Sequence, residues 1–206
     1  MKHALLVKYG EIALRGGNRK LFEDILIKRI KQNLAGLPSY FVVKDQGRFI
    51  IHSETEFDFE KVIPRVTCIF GILGVSPCVM TEDQSIENLK RLAAEQLKDT
   101  AARTFKVAAT RSVKSYPMKS NEICADIGEY ILDCYPQLRV DVHKPELVVK
   151  VELRSDAYIY SAFAEGQGGL PYASGGKATL LLSGGFDSPV AGYLTAKRGA
   201  EIEAVY

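Results

Sequence analysis

The spacing of apolar and polar positions changes abruptly along this chain, and the changes mark out its elements. A continuous apolar run at 4–7 predicts a strand. Leu21, Phe22, Ile25, Leu26, Ile30 and Leu34 then recur at helical spacing on one face, with Asn18 as N-cap and Gly36 as stop. Residues 40–44 and 48–52 flank Gln46-Gly47 as the arms of a hairpin, and a short helix follows at 59–66. A second block opens with a strand at 75–80. Ser85 caps its first helix, which turns Ile86, Leu89, Ala93 and Leu97 inward. A strand at 105–110 leads to a helix carrying Ile123, Ile127, Tyr130, Ile131 and Cys134, closed by Pro136. Val149, Val151 and Leu153 alternate with Lys150, Glu152 and Arg154, the pattern of a strand in a sheet with one solvated face. Residues 158–164 read as one further strand.

Glycines then break the pattern. Gly166-Gln167-Gly168-Gly169-Leu170-Pro171 and Ser174-Gly175-Gly176 predict a linker at 166–177. Beyond it come a buried-strand run at 178–182, a helix at 189–198 and a strand at 201–206, a right-handed parallel crossover. One crossover cannot bury both faces of a parallel sheet, so an incomplete third domain is expected here. The fold class is therefore α/β. Residues 1–58 form a small ferredoxin-like α+β domain, 59–165 a second α+β domain, and 178–206 the first βαβ unit of a doubly wound parallel sheet.

Composition sharpens this picture in two places. At 206 residues and 47% apolar the chain can bury a substantial core. Its net charge of +2 says little, but the distribution is uneven. Arg103, Lys106, Arg111, Lys114 and Lys119 fall in a stretch without acids, as do Arg15, Arg19 and Lys20. Such local excess attracts phosphates. Cys68, Cys78, Cys124 and Cys134 lack C-x-x-C spacing and only three histidines are present, which disfavours a zinc site. With no apolar run near 18 residues and no N-terminal apolar segment, secretion and membrane spanning are disfavoured. The four thiols are read as small core residues of a cytoplasmic protein.

The candidate chemistry lies in Ser183-Gly184-Gly185-Phe186-Asp187-Ser188, between the predicted strand and helix. Two adjacent glycines let backbone N–H groups approach an anion, and the serines add hydroxyl donors. Pro189 suits the first helical turn and Gly199 the end, so the helix points its positive pole at the loop. Lys197 and Arg198 suit the other pole. No lysine follows the glycines as in a Walker A loop, and Leu181 stands where a nucleophile elbow needs glycine.

S-G-G-x-D-S after an apolar strand resembles the PP-loop of the N-type ATP pyrophosphatases. Lys8-Tyr9-Gly10-Glu11-Ile12 with Gly17-Asn18-Arg19 resembles the opening of the tRNA 4-thiouridine synthetases, or tRNA sulfurtransferases. Arg103-Thr104-Phe105-Lys106-Val107, continued by Asp141-Val142 and Pro145, resembles their THUMP domain. Gly168-Gly169-Leu170-Pro171 and Gly175-Gly176-Lys177 resemble their linker. Phe186 departs from the smaller aliphatic residue usual in that loop.

The resemblance implies an enzyme that adenylates uridine 8 of tRNA with ATP and Mg²⁺, after which a persulfide sulfur replaces the activated oxygen. It implies a cysteine desulfurase as sulfur donor and, in some members, transfer to a sulfur-carrier protein in thiamine thiazole synthesis. Ser183, Gly184, Gly185 and Ser188 would hold pyrophosphate, Asp187 would organise the loop or the Mg²⁺ ion, and the backbone of Leu181 and Leu182 would lie against adenosine. Arg15, Arg19, Lys20, Arg103, Lys106, Arg111, Lys114 and Lys119 are candidate contacts to the tRNA acceptor stem and 3′ end, with Tyr116 available for stacking. The persulfide cysteine is expected beyond Tyr206, so the chain alone is expected to be inactive. Two other readings stay open: an RNA-binding module without activity, and a PP-loop enzyme acting on a small molecule.

Overall fold

The computed structural model describes residues 1–14, 17–37, 40–112 and 116–206. They form two compact units, one of Leu5–Val75 with Phe163–Tyr206 and one of Met1–Ala4 with Ser76–Ala162.

The first unit opens with β1 (Lys2–Tyr9), a 3₁₀ turn (Glu11–Leu14) and α1 (Arg19–Asn33). It continues through β2 (Tyr40–Asp45), β3 (Arg48–Ser53) and α2 (Phe59–Thr67) into β4 (Ile72–Thr81). The strand order β2-β3-β1-β4 is that of a ferredoxin-like sheet. Alternation sends Leu5, Val7, Phe49 and Ile51 to one face, where Phe22, Leu26 and Ile30 of α1 and Val62 and Val66 of α2 cover them. Gly47 takes φ 85°, which lets Gln46-Gly47 turn the hairpin with Asp45 opposite Arg48. Those two side chains pair at 2.8 Å.

Some expectations fail here for physical reasons. Leu21 lies at the start of α1, off the inward stripe, and is 58% exposed. Asn18 occupies the N-cap but makes no side-chain cap; its backbone oxygen accepts from the N–H groups of Leu21 and Phe22. The side-chain cap of this unit is Asp58, which accepts from the Lys61 N–H at 3.1 Å.

The second unit contains the rest of β4, then α3 (Ile86–Glu95), β5 (Thr104–Arg111), α4 (Ser120–Cys134), β6 (Arg139–Val140), β7 (Leu147–Leu153) and β8 (Ala157–Tyr160). Its sheet runs β4-β8-β7-β5-β6. The β5 strand is parallel to β6 and β7, while β8 is antiparallel to β7 and β4. Leu89, Leu92 and Ala93 of α3 and Ile123, Ile127 and Ile131 of α4 pack on Phe105, Val107, Val149, Val151 and Leu153. Ser85 sits at the N-cap of α3 without a side-chain cap, its N–H donating to Asp83 Oδ1 at 3.0 Å. Of the four cysteines only Cys78 is buried. Cys124 is half-buried, and Cys68 and Cys134, each at a helix C-terminal end, are exposed.

The expected strand at 158–164 divides in two. Its first half is β8, and β9 (Ala164–Glu165) pairs instead with Gly74 and Val75 at the start of β4. The glycine-rich segment then leads to β10 (Lys177–Leu181), α5 (Asp187–Lys197) and β11 (Glu201–Val205), with β10 and β11 parallel as expected. The β10 strand is not buried as expected; Leu181 is 75% exposed, because among the described residues β10 pairs only with β11.

Burial separates two leucines of α1. Leu26→Ala opens a cavity in a fully buried site and should cost about 2–5 kcal/mol in urea unfolding, whereas Leu21→Ala should stay within about 0.5 kcal/mol of wild type.

Candidate functional site

The loop after β10 is closed by its two serines. The Ser183 N–H donates to Ser188 Oγ at 3.2 Å, the two hydroxyls lie 3.3 Å apart, and the Gly185 N–H donates to Ser183 Oγ at 3.4 Å. The Leu182 N–H continues the ladder to Val205 O at 2.7 Å. Packing within the chain does not demand glycine here. A Cβ on Gly184 would meet nothing within 4 Å, and one on Gly185 would meet only Ser183 Oγ, at 3.6 Å. Neither takes a left-handed φ. Their lack of side chains therefore leaves an open floor of backbone.

Phe186 at the N-cap of α5 has helical backbone angles and makes no side-chain cap to the N–H groups of the first turn. Phe186 itself is 92% exposed. Asp187 is exposed in the first turn, Leu182 is half-buried, and Lys197 stands in the last turn. This arrangement fits a polyphosphate. Among the described residues no cluster of three or more His, Cys, Asp or Glu side chains is arranged to hold a metal ion. A magnesium ion would therefore take most of its ligands from phosphate and water, with Asp187 as the carboxylate at hand.

The predicted basic residues are distributed in a way the sequence did not suggest. Arg15 and Lys114 lie outside the described residues. Arg103 and Lys106 stand at the start of β5, where Arg139 of β6 joins them opposite Thr104. Arg111 ends the same strand, about 25 Å from Arg103 at ~3.3 Å per residue, and Lys119 lies beyond it, exposed, just before α4. Arg111 is occupied internally, its Nη1 donating to Tyr116 O at 3.2 Å and Met118 O at 2.6 Å. Tyr116 packs against the second core and donates its hydroxyl to Gln84 O at 2.7 Å, which holds the ring as part of the fold. Lys106 Nζ reaches Val142 O at 3.3 Å. Arg139, which stands apart from any basic run in the sequence, was found only through the parallel pairing of β6.

In the first unit Arg19 is also held. Its Nε donates to Glu23 at 2.8 Å and its Nη2 to the Tyr9 hydroxyl at 2.7 Å, and that hydroxyl donates to Glu23 at 2.6 Å. Lys44 pairs with Asp24 at 2.7 Å and Glu23 at 3.5 Å. Around this network lies a polar cavity of about 440 Å³, with Lys20, Arg48 and the Gln46-Gly47 turn in its lining. Lys20 is exposed on it.

Burial alone would raise the pKa of Glu23, but hydrogen bonds from Tyr9 and Arg19 and the charges of Arg19 and Lys44 outweigh it and hold the carboxyl below its ordinary value. The same burial, with Glu23 as neighbour, pushes the Tyr9 hydroxyl up. A lowered carboxyl contributes stability above its unfolded pKa of about 4.3 and loses it as pH falls through the folded value. Glu23→Gln should therefore be less stable than wild type at pH 7 and lose less stability between pH 5 and pH 3, as read from urea midpoints across pH.

Comparison with known proteins bears on the whole chain. Residues 4–76 match the ThiI ferredoxin-like domain, 80–162 the THUMP domain, and 173–206 the Thiamine biosynthesis protein (ThiI) profile. The chain is 44% identical over 209 residues to the "Probable tRNA sulfurtransferase" of Lachnoclostridium phytofermentans, covering 100% of this chain and 54% of that protein. It is 46% identical over 212 residues to the protein of the same name in Lachnospira eligens, again covering 100% of this chain and 54% of the relative. Among solved structures it superposes with a TM-score of 0.84, at 36% identity, on a 4-thiouridine synthetase in complex with RNA and bound ATP. That match covers 99% of this chain and 52% of the other. The chain thus spans about half the length of these relatives, and along that half it belongs to the tRNA sulfurtransferase (4-thiouridine synthetase) family.

Proposed function

We propose that this chain carries the tRNA-binding and ATP-binding parts of an ATP-dependent tRNA sulfurtransferase that forms 4-thiouridine at position 8. The observation carrying the proposal is the open glycine floor between Ser183 and Ser188 at an uncapped helix N-terminus, in a chain that superposes over 99% of its length on a 4-thiouridine synthetase bound to RNA and ATP. In this reading Ser183, Gly184, Gly185 and Ser188 bind the β- and γ-phosphates. Leu181 and Leu182 lie against adenosine through their backbone. Asp187 orients the loop or shares the Mg²⁺ ion that accompanies the nucleotide. ATP supplies the chemistry of turning a uracil oxygen into a leaving group. The chain's own residues hold the phosphates in place and, through the α5 dipole, stabilise the charge on the departing pyrophosphate.

The ferredoxin-like and THUMP domains serve as the RNA-docking domains, with the glycine-rich segment at 166–177 as linker to the ATP domain. Arg103, Lys106, Arg139, Lys119 and Lys20 supply phosphate contacts, while Arg19 and Arg111 shape the surfaces around them. A cysteine desulfurase would deliver the sulfur, and a sulfur-carrier protein for thiamine synthesis would be a second acceptor. The compartment would be the cytoplasm; no helix among the described residues is long and apolar enough to cross a membrane.

In the full-length protein with tRNA, ATP, Mg²⁺, cysteine and a desulfurase, 4-thiouridine should accumulate, read by near-ultraviolet absorbance; none from a competent tRNA sinks the proposal. Asp187→Ala should lower that rate about 100-fold or more and leave tRNA affinity unchanged. Arg103→Ala with Lys106→Ala should weaken tRNA binding and flatten its log–log salt slope by about 0.7–0.9 for each phosphate no longer neutralised. A 206-residue chain that binds tRNA with the same salt slope but shows no affinity for ATP would favour the RNA-binding module instead.

A further inference from the structure

The hydrogen bonds, ion pair and ring contact described between the βαβ segment and the rest of the first unit fall on the second half of α5, the Arg198-Gly199 turn that ends it, and β11. Arg198 Nη1 pairs with Glu11 Oε1 of the 3₁₀ turn at 2.6 Å. Tyr193 donates its hydroxyl to Gln167 Oε1 of the linker, and its ring stands edge-on to Phe70 with centroids 5.2 Å apart. The Leu170 N–H donates to Lys197 O and the Gly175 N–H to Gly199 O, both at 2.9 Å. Tyr172 accepts the Ile202 N–H at 3.0 Å while Arg29 of α1 lies over its ring at 5.2 Å. The linker is in turn tied to the ferredoxin-like part by the Gly71 N–H to Gly168 O at 2.7 Å.

We propose that these contacts form a clamp that sets the Ser183–Ser188 loop at a fixed place relative to the RNA-docking surface of the same unit, with Glu11, Gln167, Tyr193 and Arg198 as positioning residues. The proposal rests on the ATP- and tRNA-binding reading above. The α5 helix has 11 residues, about 16 Å at 1.5 Å per residue, and it is gripped toward the end away from the loop. A tilt of about 4° at the clamp moves the loop by about 1 Å, a displacement that costs about 100-fold when reacting groups must align. An exposed pair is weak by itself, which makes charge reversal a better probe than deletion.

The test uses the full-length protein with Glu11→Arg, Arg198→Glu and the double exchange, each followed by two measurements. Amide hydrogen exchange at Leu170 and Gly175 should quicken in each single variant and return toward wild type in the double. The turnover number for 4-thiouridine should fall about 10-fold in the singles, with tRNA and ATP affinities within about 2-fold, and recover in the double. Unchanged exchange in the singles overturns the clamp. Faster exchange with an unchanged turnover number, or singles and double equally slow, overturns the positioning role. If wild type makes no 4-thiouridine at all, the functional reading falls, and the exchange measurement still decides whether the clamp exists.

Discussion

The closest backbone approach at the clamp is between Gly169 and the carbonyl oxygen of Lys197, where an added Cβ would stand 2.2 Å from that oxygen. The neighbouring bond from the Leu170 N–H to Lys197 O depends on this approach being possible. Gly169 takes φ 76°, Gly199 takes φ 92° and has Ser174 Oγ 2.6 Å from where a Cβ would be, and Gly74 and Gly166 are equally crowded by Phe163 and Ile72. A side chain at any of these positions would force the linker off the ferredoxin-like part and carry α5 with it. Gly192 does the same service on the other face of α5, letting the helix settle onto Leu180 of β10.

Against these, Gly184 and Gly185 stand out by what they lack. Nothing in the chain presses on them, and their backbone angles are open to any residue. In the proposed reading the room they leave is for phosphate, between the serine pair and the N-terminus of α5. The distinction between glycines that pack and glycines that leave room is invisible in sequence, where both are one letter in a glycine-rich stretch.

Much of the architecture was legible because it follows from periodicity. The hairpin about Gln46-Gly47, the helical stripe Phe22-Leu26-Ile30 and the alternation through Val149, Val151 and Leu153 all appear where the pattern puts them. The errors share one cause, which is that local pattern carries no information on partners. Asn18 and Ser85 have good capping side chains, yet neither makes a side-chain cap. The run at 158–164 is mostly apolar, but Ala157–Tyr160 and Ala164–Glu165 pair with different stretches of β4, so the strand must break between them. Leu181 is apolar and still exposed, since burial needs a second layer.

The basic residues make the same point for the site. Five cations within 17 positions read as one patch, but an extended strand carries its ends far apart, and β5 sends Arg103 to one end and Arg111 to the other. Two of the arginines then turn inward. Arg111 ties down the Tyr116 and Met118 carbonyls, and Arg19 is gripped by Glu23 and Tyr9. Arg111 Nη1, and Arg19 Nε and Nη2, can bind phosphate only by giving up these bonds. In the proposed reading the phosphate contacts therefore fall to exposed cations, Arg103 just before β5, Arg139 in β6 opposite Thr104, and Lys20 at the lip of the α1 cavity. Arg111 and Arg19 thus hold the fold, while the cations left at the surface supply the field.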